Sequence, residues 1–283
     1  MGERTPIEGL GKWPHVSHSS LTDLAHCEKL WHLQKVEGHE LEPTPAMVKG
    51  TILGDAAAYW WAGGYWQETI QTAMGAWEKH NPDAEVLPDY FHDCAWLMSR
   101  YEHVYESERA SGEVEVIEQE KPFKLRLPGK YGWLIGYLDE VWKLDGRLWV
   151  VERKTMGKFD ELEAFAWSPQ VTLYHWAAVQ LGLEPEGILL DAMRTYRWKR
   201  DERKHPPAES FQRRWLDRSP RHDEEAVLDA IAGLDRMREL RRGARPLRNV
   251  GRHCNYCPAR VPCRLAACFG PEEVVWDESE ESA

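Results

Sequence analysis

The sequence predicts an α/β fold, a mixed sheet flanked by helices, on three observations. Helical patterning runs to about residue 112 and then gives way, at "EVEVIEQEKPFKLRL", to near-alternation with β-branched residues. Asp145-Gly146, set between two apolar runs, is a favoured two-residue hairpin turn. Beyond the hairpin, a helical stretch is followed by "EGILLDAMR", which reads as another strand.

Taken in order, "HSSLTDLAHCEKLWHLQKVEG" predicts a helix beginning near Ser20, with Asp23 near its first turn, Cys27 within it and Gly38 beyond its end. Helical patterns follow at about 47–62, 66–80 and 90–110, interrupted by "AGG", "NPDAEVLP" and "SG". One or two strands and a "PGK" turn lead into the hairpin. "SPQVTLYHWAAVQLG" then predicts a helix with Ser168 as cap, Pro169 in the first turn and Gly182 past the end. The chain accordingly divides into a helical N-terminal region (1–112), a core (113–195), a basic helical segment with a C-terminal cysteine cluster (196–270) and an acidic, solvated tail (271–283).

Fifteen Trp and 42% hydrophobic residues among 283 are enough for a packed core, and no apolar run is long enough to cross a bilayer. The N-terminal "MGERTPIEGLGKWPH" lacks a basic region followed by an apolar stretch, so a cytoplasmic location is expected. The formal charge of −11 argues against phosphate binding by the molecule as a whole. Residues 194–252 differ, holding seventeen Lys or Arg against ten Asp or Glu. Arg241, Arg242, Arg245 and Arg248 are therefore candidate nucleic-acid contacts.

The hairpin concentrates charge where a core strand should be apolar. With Asp145-Gly146 as the loop, Leu144 faces Arg147, and counting outward brings Asp139 opposite Glu152. Lys154 shares the face of Glu152, because strand side chains repeat every two residues. Opposed carboxylates repel unless a cation or a proton intervenes. A divalent ion between them, with a lysine beside it, meets the needs of phosphodiester hydrolysis. Lys154 bridging two acids in a surface ion network is the simpler alternative, and a second Glu-x-Lys, Glu202-Arg203-Lys204, stands in a polar loop context.

Asp139 with Glu152-Arg153-Lys154 resembles the motif of the PD-(D/E)XK nuclease superfamily. Gln170 and Tyr174, four residues apart on one helical face, resemble the Q-x-x-x-Y motif of its RecB-type exonuclease branch, which includes RecB-like exonucleases associated with CRISPR adaptation. The resemblance implies a restriction-endonuclease-like core and a metal-dependent deoxyribonuclease, specifically an exonuclease acting on a strand end or single strand. It also implies Mg2+ or Mn2+ held by Asp139 and Glu152 with Glu120 as an additional acid, and a protein partner in recombination or CRISPR adaptation. Where the branch places a histidine, "KGTILGDAAAYW" fits at Gly50-Thr51 but has Gly54, with Asp55 rotated about 100° away on an ideal helix. That departure implies fewer metals, another ligand or weakened catalysis. A DNA-binding accessory protein on a nuclease scaffold is the alternative function.

Cys254, Cys257 and Cys263 in "CNYCPARVPC" point to metal binding rather than disulfides. Closure by Cys268 would suit a zinc knuckle, whereas Cys27 would tie the first helix to the C-terminal end. The resemblance favours Cys27 and a [4Fe-4S] cluster, and thiolate chemistry alone leaves Zn2+ open.

Overall fold

A computed structural model describes residues 7, 14–84, 86–195 and 207–268, with side chains of Lys130 and of 265–268 left undescribed. The acidic tail, the stretch 196–206 and Glu202-Arg203-Lys204 lie outside the described residues. The chain forms two compact units, one of Met1–His18 with Pro45–Ile231 and the other of Ser19–Thr44 with Ala232–Ala283. The predicted N-terminal helical region is thus divided, its first part grouping with the C-terminal cysteines.

The larger unit is built on a six-stranded mixed sheet, β1 (His15–Ser17), β2 (Val114–Arg126), β3 (Trp133–Leu144), β4 (Arg147–Met156), β5 (Pro185–Arg194) and β6 (Phe211–Asp217). β1 with β3 and β4 with β5 run parallel, whereas β2 with β3, β3 with β4 and β5 with β6 pair antiparallel. The hairpin turn is as expected, with Asp145 and Gly146 both at positive φ (49° and 80°). The "PGK" turn is a short 3-10 helix, Pro128–Lys130. β1, α6 (Asp160–Ala166) and β6 are too short or too polar to have been read from periodicity.

One face of the sheet is covered by α3 (Pro45–Trp61), α4 (Trp66–His80) and α5 (Asp89–Ser111), whose Ile52, Trp60, Trp61, Leu97 and Met98 pack with Trp142, Val151, Leu189 and Met193. α7 (Pro169–Gln180) covers the other, burying Val171, Leu173 and Ala177. Pro169 and Gly182 (φ 79°) delimit α7 as predicted. Ser168 has extended cap geometry, but its hydroxyl makes no capping bond and is buried without a hydrogen-bond partner among the described residues.

Under α3 and α5 lies a row of alternating buried charges. Cross-strand register sets Arg153 beside Asp191 and Asp191 beside Arg213. Arg153 Nη2 donates to Glu140 Oε2 at 2.7 Å and its Nε lies 3.4 Å from Asp191 Oδ2. Arg213 Nη1 donates to both oxygens of Glu108, at 2.8 and 2.7 Å. The Tyr101 hydroxyl donates to Asp191, Trp61 Nε1 to Tyr101, and Trp142 Nε1 to Glu140. Each buried carboxylate in the row therefore has at least two donors or cations, which such burial requires.

In the smaller unit the first helix is broken at Cys27 (φ −165°, ψ 115°) into α1 (His18–His26) and α2 (Glu28–Lys35). The other described helices are α8 (Pro220–Arg241) and α9 (Arg260–Cys268). Arg236 pairs with both oxygens of Glu28 at 2.7 and 2.8 Å, and the Leu247 N–H donates to Glu28 Oε2 at 2.8 Å.

Removing one member of the buried row should leave the rest uncompensated. Arg153→Ala is expected to cost about 3–5 kcal/mol of stability, read as a lower midpoint in urea unfolding; an unchanged midpoint would show that Glu140 and Asp191 do not depend on it.

Candidate active site

β3 has two edges and three partners. β2 occupies one edge along residues 133–144, while β4 pairs only with 140–144 and β1, parallel, only with 133–135. The β3–β4 ladder ends at Glu140↔Val151, and no strand among the described residues pairs with 136–139 on that edge. β4 continues to Met156 beside β5, so the two strands fork. Asp139 and Glu152 are the first residues past the fork. The expected register is right to the last rung, but the pair stands where the ladder opens rather than within it.

A cleft of about 470 Å³ runs into the fork. Glu120, Asp139, Arg153, Lys154 and Thr155 line it from the sheet, and Gly50, Thr51, Gly54 and Asp55 from α3. Gly50 permits close approach, since a Cβ there would lie 3.1 Å from Thr155 Oγ1, whereas a Cβ at Gly54 would meet nothing within 4 Å. The glycine at the expected histidine position thus widens the cleft, and Asp55, expected to turn away, lines it as well.

Three carboxylates from three adjacent strands meet here. Gln119↔Glu140 and Lys121↔Leu138 place Glu120 across from Asp139, which is flanked on its other side by Glu152. Glu120 has φ 46°, a left-handed conformation that is strained for a non-glycine residue. Glu152 is 3% exposed; Gln170 Nε2 donates to its Oε1 at 2.7 Å, while its Oε2 is buried with no donor among the described residues. Burial first, then the charge of Asp139, with a smaller push from Glu120, raises the Glu152 carboxyl well above the usual carboxylate range despite the opposing charge of Lys154. The Lys154 ammonium lies 4.5 Å from the centre of the Phe165 ring. Tyr174, one turn after Gln170, packs edge-on between Phe123 (5.9 Å) and His18 (6.4 Å).

An under-donated buried carboxylate oxygen beside two further acids is a donor set suited to a hard divalent cation. Among the described residues, no three His, Cys, Asp or Glu side chains are already in ligating geometry.

Asp139, Glu152, Lys154, Glu120, Gln170 and Tyr174, each singled out from sequence, thus come together at one fork. His18 and Arg153 were not singled out. Three consecutive charges, Glu152-Arg153-Lys154, in one apolar strand were a readable signal that both faces carry charge. Nothing local marked His18, because the short pairing of β1 with β3 brings it in.

The remaining candidates lie in the smaller unit. Cys27 and Cys263 pack with Cys257 around Leu30, Leu33 and Ala259. Burial pushes the Cys257 thiol up, with Cys27, Cys254 and Cys263 close enough to add to the shift. All four are unbridged. Four thiols drawn to one place fit a thiolate-bound metal group by donor chemistry. Arg241, Arg242, Arg245 and Arg248 are exposed around the end of α8, with Arg241 over the Trp31 ring at 5.6 Å.

The family model of the PD-(D/E)XK nuclease superfamily matches residues 15–264. A crystal structure titled "Putative exonuclease" from Eubacterium rectale superposes with a TM-score of 0.55 at 15% identity, over 90% of this chain and 94% of that one. Another, of SSO0001, covers 90% of this chain and 89% of its own at 13% identity, with a TM-score of 0.42. No curated protein matches the sequence. No helix among the described residues is long and apolar enough to cross a membrane.

The Glu152 shift has a consequence for stability. A carboxyl whose folded pKa is raised binds its proton more tightly in the fold, so its ionisation destabilises the fold as pH rises past the unfolded value near 4.5. In EDTA, Glu152→Gln is therefore expected to raise the thermal midpoint at pH 7.5, with the gain shrinking to nothing as pH approaches about 4.5. An equal gain at both pH values would place its origin elsewhere.

Proposed function

The chain belongs to the PD-(D/E)XK nuclease superfamily, and from that premise we propose that it is a metal-dependent deoxyribonuclease, an exonuclease acting at a strand end. The observation that carries this reading is the row Glu120, Asp139 and Glu152 across three strands, with Lys154 on the rim of the same cleft. The description of the Eubacterium rectale protein agrees with action at ends.

Asp139 and Glu152, with Glu120, would hold Mg2+ or Mn2+. When bound, a divalent cation supplies positive charge against the phosphate oxygens as negative charge builds on them. The rest falls to the chain. Gln170 fixes one oxygen of Glu152 and so leaves the other directed to the ligand. Lys154 positions the attacking water and stabilises charge on the phosphoryl group, its ammonium held against Phe165. The water oxygen forms the new bond to phosphorus and gives up a proton to solvent, while the bond to the leaving sugar oxygen breaks and that oxygen takes a proton from solvent. Arg241, Arg242, Arg245 and Arg248 bind the phosphate backbone.

Cys27, Cys254, Cys257 and Cys263 would hold a [4Fe-4S] cluster, with Zn2+ as the alternative occupant. Its role is structural, closing a loop between residues 27 and 254–263. A second reading, a DNA-binding accessory protein with weak or no catalysis, draws on Gly54, which offers no ligand from α3.

Two experiments test these readings. On labelled single- and double-stranded DNA with Mg2+ or Mn2+, Glu152→Ala and Lys154→Ala should each lower cleavage about 100-fold or more while retaining DNA binding; wild-type cleavage by both would sink the assignment, and no cleavage by the wild type would favour the accessory protein. In anaerobic preparations, Cys27→Ala is expected to lose iron and sulfide together. Cluster loss in a Cys268→Ala variant instead, with Cys27→Ala intact, would reassign the fourth ligand, and stoichiometric zinc without iron would reject the cluster.

A further inference from the structure

We propose that His18 and Tyr174 form a step of rings that receives an unpaired nucleobase next to the scissile phosphate, so that the cleft acts on single strands and frayed ends rather than on paired duplex. The proposal rests on reading the fork as a nuclease site.

β1 and β4 share one edge of β3, β1 at residues 133–135 and β4 at 140–144, and the fork lies between these two ladders. His18 is the residue that leaves β1, so it stands at one lip of the fork, and Lys154 stands on the other. Three rings lead from the core toward that opening. Phe123 is buried and lies on Gly136, where a Cβ would come within 2.6 Å of the ring. Tyr174 meets Phe123 edge-on at 82°, and His18 meets Tyr174 at 73°. Both outer rings are half-buried, so each is oriented by its neighbour while keeping some surface for a ligand.

The chemistry of His18 suits a base better than a phosphate. Burial, and then the charge of Lys154, lowers its pKa to about 4, which leaves the imidazole neutral at physiological pH. Lys154 supplies the cation for the phosphate; the neutral ring adds a flat face and an N–H. Stacking of this kind tolerates any base but requires one that is out of its duplex.

The test uses the full-length protein and labelled single-stranded oligonucleotides with one abasic nucleotide moved along the strand, with binding followed by fluorescence anisotropy in Ca2+ and cleavage in Mg2+. Wild type should lose about 5- to 100-fold in affinity at one abasic position near the cleaved bond. His18→Ala should show a similar loss on the intact strand and no further penalty at that position, with KM changed more than kcat. His18→Phe, which keeps a flat ring, should restore both affinity and the abasic penalty. An undiminished penalty in His18→Ala, or no rescue by His18→Phe when thermal unfolding shows it folded, would overturn the proposal. Wild type that binds the strands but does not cut them would defeat the nuclease reading alone, since the abasic scan is read by binding; wild type that binds no strand would overturn the stacking proposal.

Discussion

The contact of Arg153 with Glu140 at the last rung of the β3–β4 ladder is the interaction on which the larger unit depends. Beyond it the two strands part, and each carries an acid into the gap. A fork in the middle of a sheet exposes unpaired backbone and separates side chains that would otherwise pack, so something must fix the strands up to the point of divergence. Arg153 does so from the covered face, bound to Glu140 on one neighbouring strand and close to Asp191 on the other. The row continues through Arg213 to Glu108 on α5, which fastens the helical layer to the same charges.

The two faces of β4 solve opposite electrostatic problems. On the face toward α3 and α5, opposite charges alternate and the buried carboxylates of Glu140 and Asp191 are each paired with an arginine. On the other, Glu120, Asp139 and Glu152 crowd together with Lys154 as the near cation, and the Glu152 carboxyl responds by holding its proton to unusually high pH. Carboxylates that repel one another would release free energy if a cation bound between them, which is a general way of coupling a fold to its ligand. The compensated face supplies the rigidity that keeps the uncompensated one from relaxing.

The smaller unit follows a different logic. Leu24, Trp31, Leu234, Met237 and Leu240 are buried in it, and Leu30, Leu33 and Ala259 cluster beside the cysteines. A polar clasp adds to it, in which Glu28 accepts from Arg236 and from the Leu247 backbone. Cys27, Cys257 and Cys263 pack against that cluster, where a thiolate-bound group would tie residue 27 to the segment 254–263. The break at Cys27 follows from this arrangement, because a continuous helix would carry the thiol on a rotating face, whereas an extended residue between α1 and α2 can be directed independently of either.

The sequence by itself determined the mixed α/β class, the hairpin and its Asp145-Gly146 turn, the limits of α7 and the company of Asp139, Glu152 and Lys154. All of these follow from local periodicity, turn chemistry and register counted outward from a two-residue loop, which need no knowledge of distant chain. Gln170 and Tyr174 were readable through their resemblance to the Q-x-x-x-Y motif, their four-residue spacing putting them on one helical face. Tertiary structure alone decided that the ladder stops at Glu140 and Val151, since that depends on β1 taking the far end of the same edge. It also decided that Arg153, flanked in sequence by two site residues, belongs to the opposite face with Asp191 and Arg213, that Asp55 lines the cleft beside Gly54, and that His18 reaches Tyr174. Each of these depends on segments far apart in the chain meeting in space, and no local pattern encodes such a meeting.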